Sequence, residues 1–211
     1  MLVGIKNVRL AFSDALFEPK RIATDDTSEP AYSCNFLFDP VVNAADIEAV
    51  RSAMNAEAAI KWKDPAVLKA AIAVIKSKDR MCLHDGDLKG QYEGFPGNLY
   101  MNARSDKPPK VVDRDRTPLT ARDGRPYSGC YVNAFVEVWA QDNKWGKGVN
   151  ATLKGVQFLR DGEAFGAGAP LDPDAFDDIS DAGQTNGSFD DLMGDVGASE
   201  SSSSPAKDIG F

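Results

Sequence analysis

The run CYVNAFVEVWAQ, residues 130–141, limits the fold more than any other segment. Val132, Ala134, Val136 and Val138 fall on one face of an extended chain, and Tyr131, Asn133, Phe135, Glu137 and Trp139 fall on the other. A period of two with one wholly apolar face predicts a strand that covers a core on one side only. DNKWGKG, 142–148, reads as a hairpin connection, and VNATLKGVQFLRDG, 149–162, as the returning strand. Upstream, residues 2–12 read as a first strand, and a polar, turn-rich stretch follows from Ser13 to Pro30. AYSCNFLF, 31–38, reads as a second strand closed by Asp39-Pro40, and NLYMNARS, 98–105, as another.

Between these strands the period changes. Asn43 is placed to cap a helix in which Ile47, Val50 and Met54 recur at helical spacing. Asp64-Pro65 opens a second helix with a stripe of Leu68, Ile72 and Ile75. The expectation is a mainly β chain, a small barrel carrying inserted α-helices, without internal repeats.

Charge divides the chain. The protein carries a net charge of −8, which taken whole disfavours a nucleic-acid partner. From Leu171 to the end there are ten acidic residues and one basic residue, Lys207, which leaves 22 acidic and 23 basic residues in 1–170. A near-neutral body, 1–170, is therefore followed by an acidic segment, 171–211. That segment is rich in Gly, Ser and Asp, and is expected to be a disordered interaction tail. Phe176, Phe189 and Phe211 punctuate it, and a passive linker has little use for spaced aromatics.

Several function classes find no support. No apolar run reaches the roughly 20 residues of a membrane span, and the start lacks the zones of a signal peptide, so a cytoplasmic protein is expected. Cys34, Cys82 and Cys130 are far apart and odd in number, and read as buried thiols rather than a zinc site or disulfide framework. No phosphate-cradling loop, nucleophile elbow or HExxH helix is present, and no cofactor is implied. The one histidine, His84, stands with Asp85 and Asp87 in HDGD, which reads either as a small divalent-metal site for a nuclease or as an ordinary Asp-Gly turn.

The other available chemistry is stacking plus charge, which holds unpaired nucleic acid without reading its sequence. Arg104, Lys107, Lys110, Arg114, Arg116, Arg122 and Arg125 lie along 104–125, and Tyr127, Trp139, Lys144, Trp145 and Lys147 follow. The same residues also fit a solvated loop, balanced by Asp106, Asp113, Asp115 and Asp123, beside a core Trp139. Trp145 sits in a polar, glycine-containing connection, where exposure is the more natural reading. Phe12, Phe17, Lys20 and Arg21 add a weaker N-terminal set.

NVRLAFSDALFEPKRI, NLYMNARSDKPPKVVD and YSGCYVNAFVEVWAQDNKWGKGVNATLKGVQFLRDGEAFG resemble the phage single-stranded DNA-binding proteins over most of residues 1–170. The YSGCYVNA and GKGV blocks are the most specific part. The resemblance implies an OB-fold, sequence-independent binding of single-stranded DNA during phage replication or recombination, and work in the host-cell cytoplasm. A homodimer is an expectation of the resemblance alone. It also implies that the acidic tail, ending Asp208-Ile209-Gly210-Phe211, competes with DNA and recruits phage or host replication and recombination proteins. Here the final acidic run is diluted by SESSSSPAK. Two rivals from other classes stand beside this reading: a metal-dependent nuclease and a structural virion protein.

Overall fold

The computed structural model describes residues 1–21 and 29–166. The expected tail, with Asp208, Ile209 and Phe211, lies outside the described residues. The strand predicted over 130–141 is present as β6 (Tyr131–Asn143), and its four apolar residues are each no more than 2% exposed. It turns into β7 (Gly146–Arg160) through a tip of two residues, Lys144 and Trp145. Gly146, at φ 108°, closes that turn in a conformation open to glycine. Both strands run closer to the tip than the sequence suggests, because pairing continues to Asn143 and Gly146.

β1 (Leu2–Lys20) is longer than predicted and occupies part of the stretch expected to be turn. Its period is broken twice, at Asn7 and Phe12, where left-handed φ values of 52° and 53° accompany shifts of register. Past the second break, Ala15 and Leu16 are buried again, and Lys20 pairs with Ala31. β2 (Ala31–Phe38) and β4 (Leu99–Ser105) lie where the sequence placed strands. Two short strands, β3 (Leu83–Asp85) and β5 (Lys110–Val112), were not legible, and β5 interrupts what had read as one long connection.

The strand order is β3-β4-β2-β1-β6-β7-β5, and a further parallel pairing of β4 with β7 closes five strands into a barrel. The closed ring is β1-β2-β4-β7-β6, the five-stranded plan of an OB-fold. Its interior holds Ile5, Val8, Leu10, Phe36, Phe38, Met101, Val132, Val136, Leu153 and Phe158.

α1 (Ala44–Lys61) and α2 (Pro65–Ser77) are inserted between β2 and β4. Asp64 caps α2 as predicted, its carboxylate accepting from the Ala66 and Val67 amides at 2.8 and 3.1 Å. Asn43 does not cap α1 through its side chain. It is buried instead, accepting from the Asp39 amide at 3.0 Å and donating to the Lys6 carbonyl at 3.1 Å. The helix start is thereby fastened to the first break in β1. Ile47 and Val50 face the core as expected, whereas on α2 the buried residues are Ala71 and Ile75, with Leu68 packed beside them and Ile72 only half-buried. No helix among the described residues is long and apolar enough to cross a membrane.

All three cysteines are free and buried, and burial pushes the Cys82 thiol up to about 12 and Cys130 to about 11. Leu153, 1% exposed within the barrel, tests the core directly. Leu153→Ala is expected to cost about 2–5 kcal/mol of unfolding free energy, read from the midpoint of a urea titration at unchanged slope.

Candidate nucleic-acid interface

The seam that closes the barrel also forms a groove. Arg104 on β4 pairs with Thr152 on β7. From that point a groove of about 390 Å³ is lined by Asn102, Arg104, Trp139, Gln141, Asn150 and Thr152, among others. The alternation of β6 puts Trp139 on the outer surface, 39% exposed, and its indole donates to the Thr152 hydroxyl at 2.9 Å. That bond fixes the ring beside Arg104. Two residues far apart in sequence, both singled out from it, therefore line one groove, each joined to Thr152.

The two ends of the groove are set by hairpins. Toward the β6–β7 tip stands Trp145, 69% exposed, with the Lys144 ammonium 5.1 Å from its ring centroid. Arg80, just after α2, donates to the Trp145 carbonyl, and its own carbonyl accepts from the Val149 amide at 3.0 Å. The tip is thereby tied to the helical insertion. At the other end, Tyr32 pairs with Ser105, and the Arg104 guanidinium donates to the Glu29 carbonyl. Lys20 and Arg21, both exposed, end β1 on this side, and Lys20 lies 3.8 Å from Asp14. Lys107 is exposed just beyond Ser105.

Other predicted residues are placed differently. Lys147 is ion-paired with Asp142, whose carboxylate also accepts from the Trp62 indole at 2.8 Å. Trp62 is core, 4% exposed, and this arrangement anchors the hairpin to the end of α1. Tyr127 packs against the core, its hydroxyl within 3.0 Å of the Asp161 carboxylate and the Gly162 carbonyl, and desolvation raises its pKa. Lys110 lies away from the groove, on β5, beside Arg116 and Phe135.

Phe12 joins an aromatic cluster with Tyr92 and Phe95, at centroid distances of 5.1 and 5.6 Å. The Lys89 ammonium lies 4.5 Å from the Tyr100 ring in the same cluster, and burial lowers its pKa. The sequence reading missed Arg80, Asn102, Gln141, Asn150 and Thr152. Gln141 and Asn150 were findable from strand alternation, whereas Asn102 reaches the groove, and Arg80 the hairpin tip, only through tertiary pairing.

HDGD resolves into structural roles. His84 is buried, stacks on Tyr100 at 4.9 Å and lies 3.0 Å from both Asp79 oxygens. Asp85 accepts from the Asp87 amide, and Asp87 accepts from the Gly97 amide. Among the described residues, no three His, Cys, Asp or Glu side chains gather as a metal-binding group.

The hydrogen bond from Lys147, and after it that from Trp62, holds the Asp142 carboxyl below its ordinary value of 3.8. A carboxyl depressed in the folded state lends stability that is complete above that ordinary value and is lost as pH falls through the lower, folded one. The Trp62 indole proton resonance is therefore expected to shift in a step centred below pH 3.8, a step absent from Asp142→Asn.

Comparison with known proteins gives the family and the fold. The sequence matches the family described as the Enterobacter phage Enc34 ssDNA-binding protein over residues 1–186. It is 44% identical over 180 residues to the putative protein p50 of Acyrthosiphon pisum secondary endosymbiont phage 1, covering 85% of this chain and 95% of that one. Its fold is similar to the single-stranded DNA-binding protein from bacteriophage Enc34 in complex with ssDNA, with a TM-score of 0.64 at 24% identity over 78% of this chain and 89% of that one. A second structure of the Enc34 protein gives a TM-score of 0.62 at 24% identity over 83% of this chain and 90% of that one. The chain belongs to the Enc34-type family of phage ssDNA-binding proteins.

Proposed function

We propose that the protein binds single-stranded DNA without sequence preference, in the groove between the two hairpin ends, during phage replication or recombination in the host cytoplasm. The observation that carries this reading is that Arg104 and Trp139 line one groove at the closing seam, with Trp145 exposed at the tip. In OB-folds, oligonucleotides lie over the second and third barrel strands and between the loops that follow the first and fourth. Here the third barrel strand is β4, which lines the groove, and the loop after the fourth is the β6–β7 tip. Arg104 neutralises phosphate, the indoles offer faces to bases, and Asn102, Gln141 and Asn150 supply neutral donors and acceptors. The protein binds the strand and leaves it intact; His84, Asp85 and Asp87, the residues a nuclease would need, already have partners within the fold.

Binding to fluorescent oligothymidylate across a salt series tests the reading. Trp139→Ala is expected to weaken binding by about 1–3 kcal/mol, the worth of one stacked base. Arg104→Ala is expected to reduce the slope of log affinity against log salt by about 0.7, one phosphate contact on a single strand. Equal affinity for duplex, or a flat salt response in the unaltered protein, contradicts the proposal.

The acidic segment supports a second part of the reading. Ten acidic residues tethered to the body compete with phosphate for the cations of the groove at an effective concentration of order mM. When DNA displaces the tail, Asp208, Ile209 and Phe211 become available to replication or recombination proteins. Deleting residues 171–211 is expected to tighten DNA binding at low salt, with the difference shrinking as salt rises. An affinity unchanged by the deletion removes the competition from the account.

A further inference from the structure

The outer face of β6 carries a second exposed ring, and nothing described so far uses it. Phe135 is 56% exposed, more than Trp139 on the same strand. Its neighbours across the sheet are glycines: Gly4 on β1 and Gly155 on β7. The ring lies across Gly4, so close that the first carbon of any side chain there would stand 3.1 Å from the ring's Cε1 atom. A phenylalanine laid on a glycine floor and left open to water buries little surface for its own fold. It has the form of a platform.

The surroundings of the ring state what it suits. A depression of about 270 Å³ beside it is bounded by Lys110, Val112, Arg116, Asn133 and Gln157. Lys110 and Arg116 form no ion pair with an acidic group among the described residues. Lys6 is exposed on β1, the neighbouring strand. The acid on the path between this platform and the groove, Glu137, is neutralised by Lys154 at 2.5 Å. An apolar face with a cationic rim and amide groups fits a base and its phosphates; a hydrophobic partner helix would leave three cations unmatched.

Phe135 and Trp139 lie on one face of one strand, four residues apart, which at about 3.4 Å per residue is about 14 Å. We propose that Phe135, with Lys110 and Arg116, is a second stacking platform on which a single strand leaving the Trp139 groove continues along the outer face of β6. This extends the binding reading above and rests on it. A short oligonucleotide fills the groove and does not reach the platform; a longer one engages both.

The test compares oligothymidylates of about 4 and about 20 nucleotides, the first at the low end of the range of roughly 4–16 nucleotides held by single OB domains and the second beyond its high end. The full chain is titrated by fluorescence anisotropy, with circular dichroism confirming that each variant is folded. Phe135→Ala is expected to weaken the long oligonucleotide by roughly 5- to 150-fold, the worth of one stacked base, and to leave the short one within about two-fold. Phe135→Trp is expected to restore the long-oligonucleotide affinity, and Trp139→Ala to weaken both lengths. If Phe135→Ala binds the long strand as tightly as the unaltered protein, the platform is no DNA site and the face is left to a protein partner, which overturns the proposal. An equal loss at both lengths overturns it as well, since Phe135 then acts through the groove. Failure of the unaltered protein to bind either length is a different result, and refutes the parent reading.

Discussion

Everything in this molecule depends on the closing of the sheet between β4 and β7. Before closure, the parts of β4 and β7 that β3 and β5 do not cover offer unpaired amides and carbonyls to solvent. The parallel bridge of Arg104 with Thr152 turns that open ribbon into a barrel whose interior excludes water. The same bridge brings Arg104 of the third barrel strand and Trp139 of the fourth into the lining of one groove. Fold and proposed site thus share one seam, and a change that opens it disturbs both.

The elements with a clean period were legible in the sequence, and those shaped by tertiary pairing were not. β2, β6 and the Asp64 cap of α2 follow from alternation and cap chemistry. The full length of β1 was hidden because Asn7 and Phe12 each break the alternation. β5 was hidden because a three-residue parallel edge strand has too few residues to show any period. Asn43 looked like a cap, and its position at the start of α1 is right, but its side chain finds better partners in the backbone of β1. Around the groove, the exposure of Trp139 and Trp145 could be read from strand and turn context. Lys147 and Tyr127 could not be sorted from them, since Asp142 and Asp161 engage those side chains only in the folded chain.

The overall charge misleads in the same way. A protein with a net charge of −8 binding a polyanion is a contradiction only if the charge is spread evenly. The body is near neutral, and within it acids and bases are paired selectively. Asp142 takes Lys147, Glu137 takes Lys154 and Asp113 takes Arg125, while the guanidinium of Arg104 is oriented by a backbone carbonyl that does not cancel its charge. The field that a phosphate meets depends on which cations remain unneutralised at the surface.

The uninterrupted ladder of β6 with β7, from Trp139 opposite Asn150 to Asn143 opposite Gly146, makes the stretch between the two indoles inelastic. Adding or removing one residue there would reverse the inside and outside of everything beyond it, sending Gln141 inward and a core valine out. Substitution along this ribbon is tolerable wherever the side chain faces water; a change in its count of residues is not. The hairpin behaves as a graduated scale, and its divisions are peptide units.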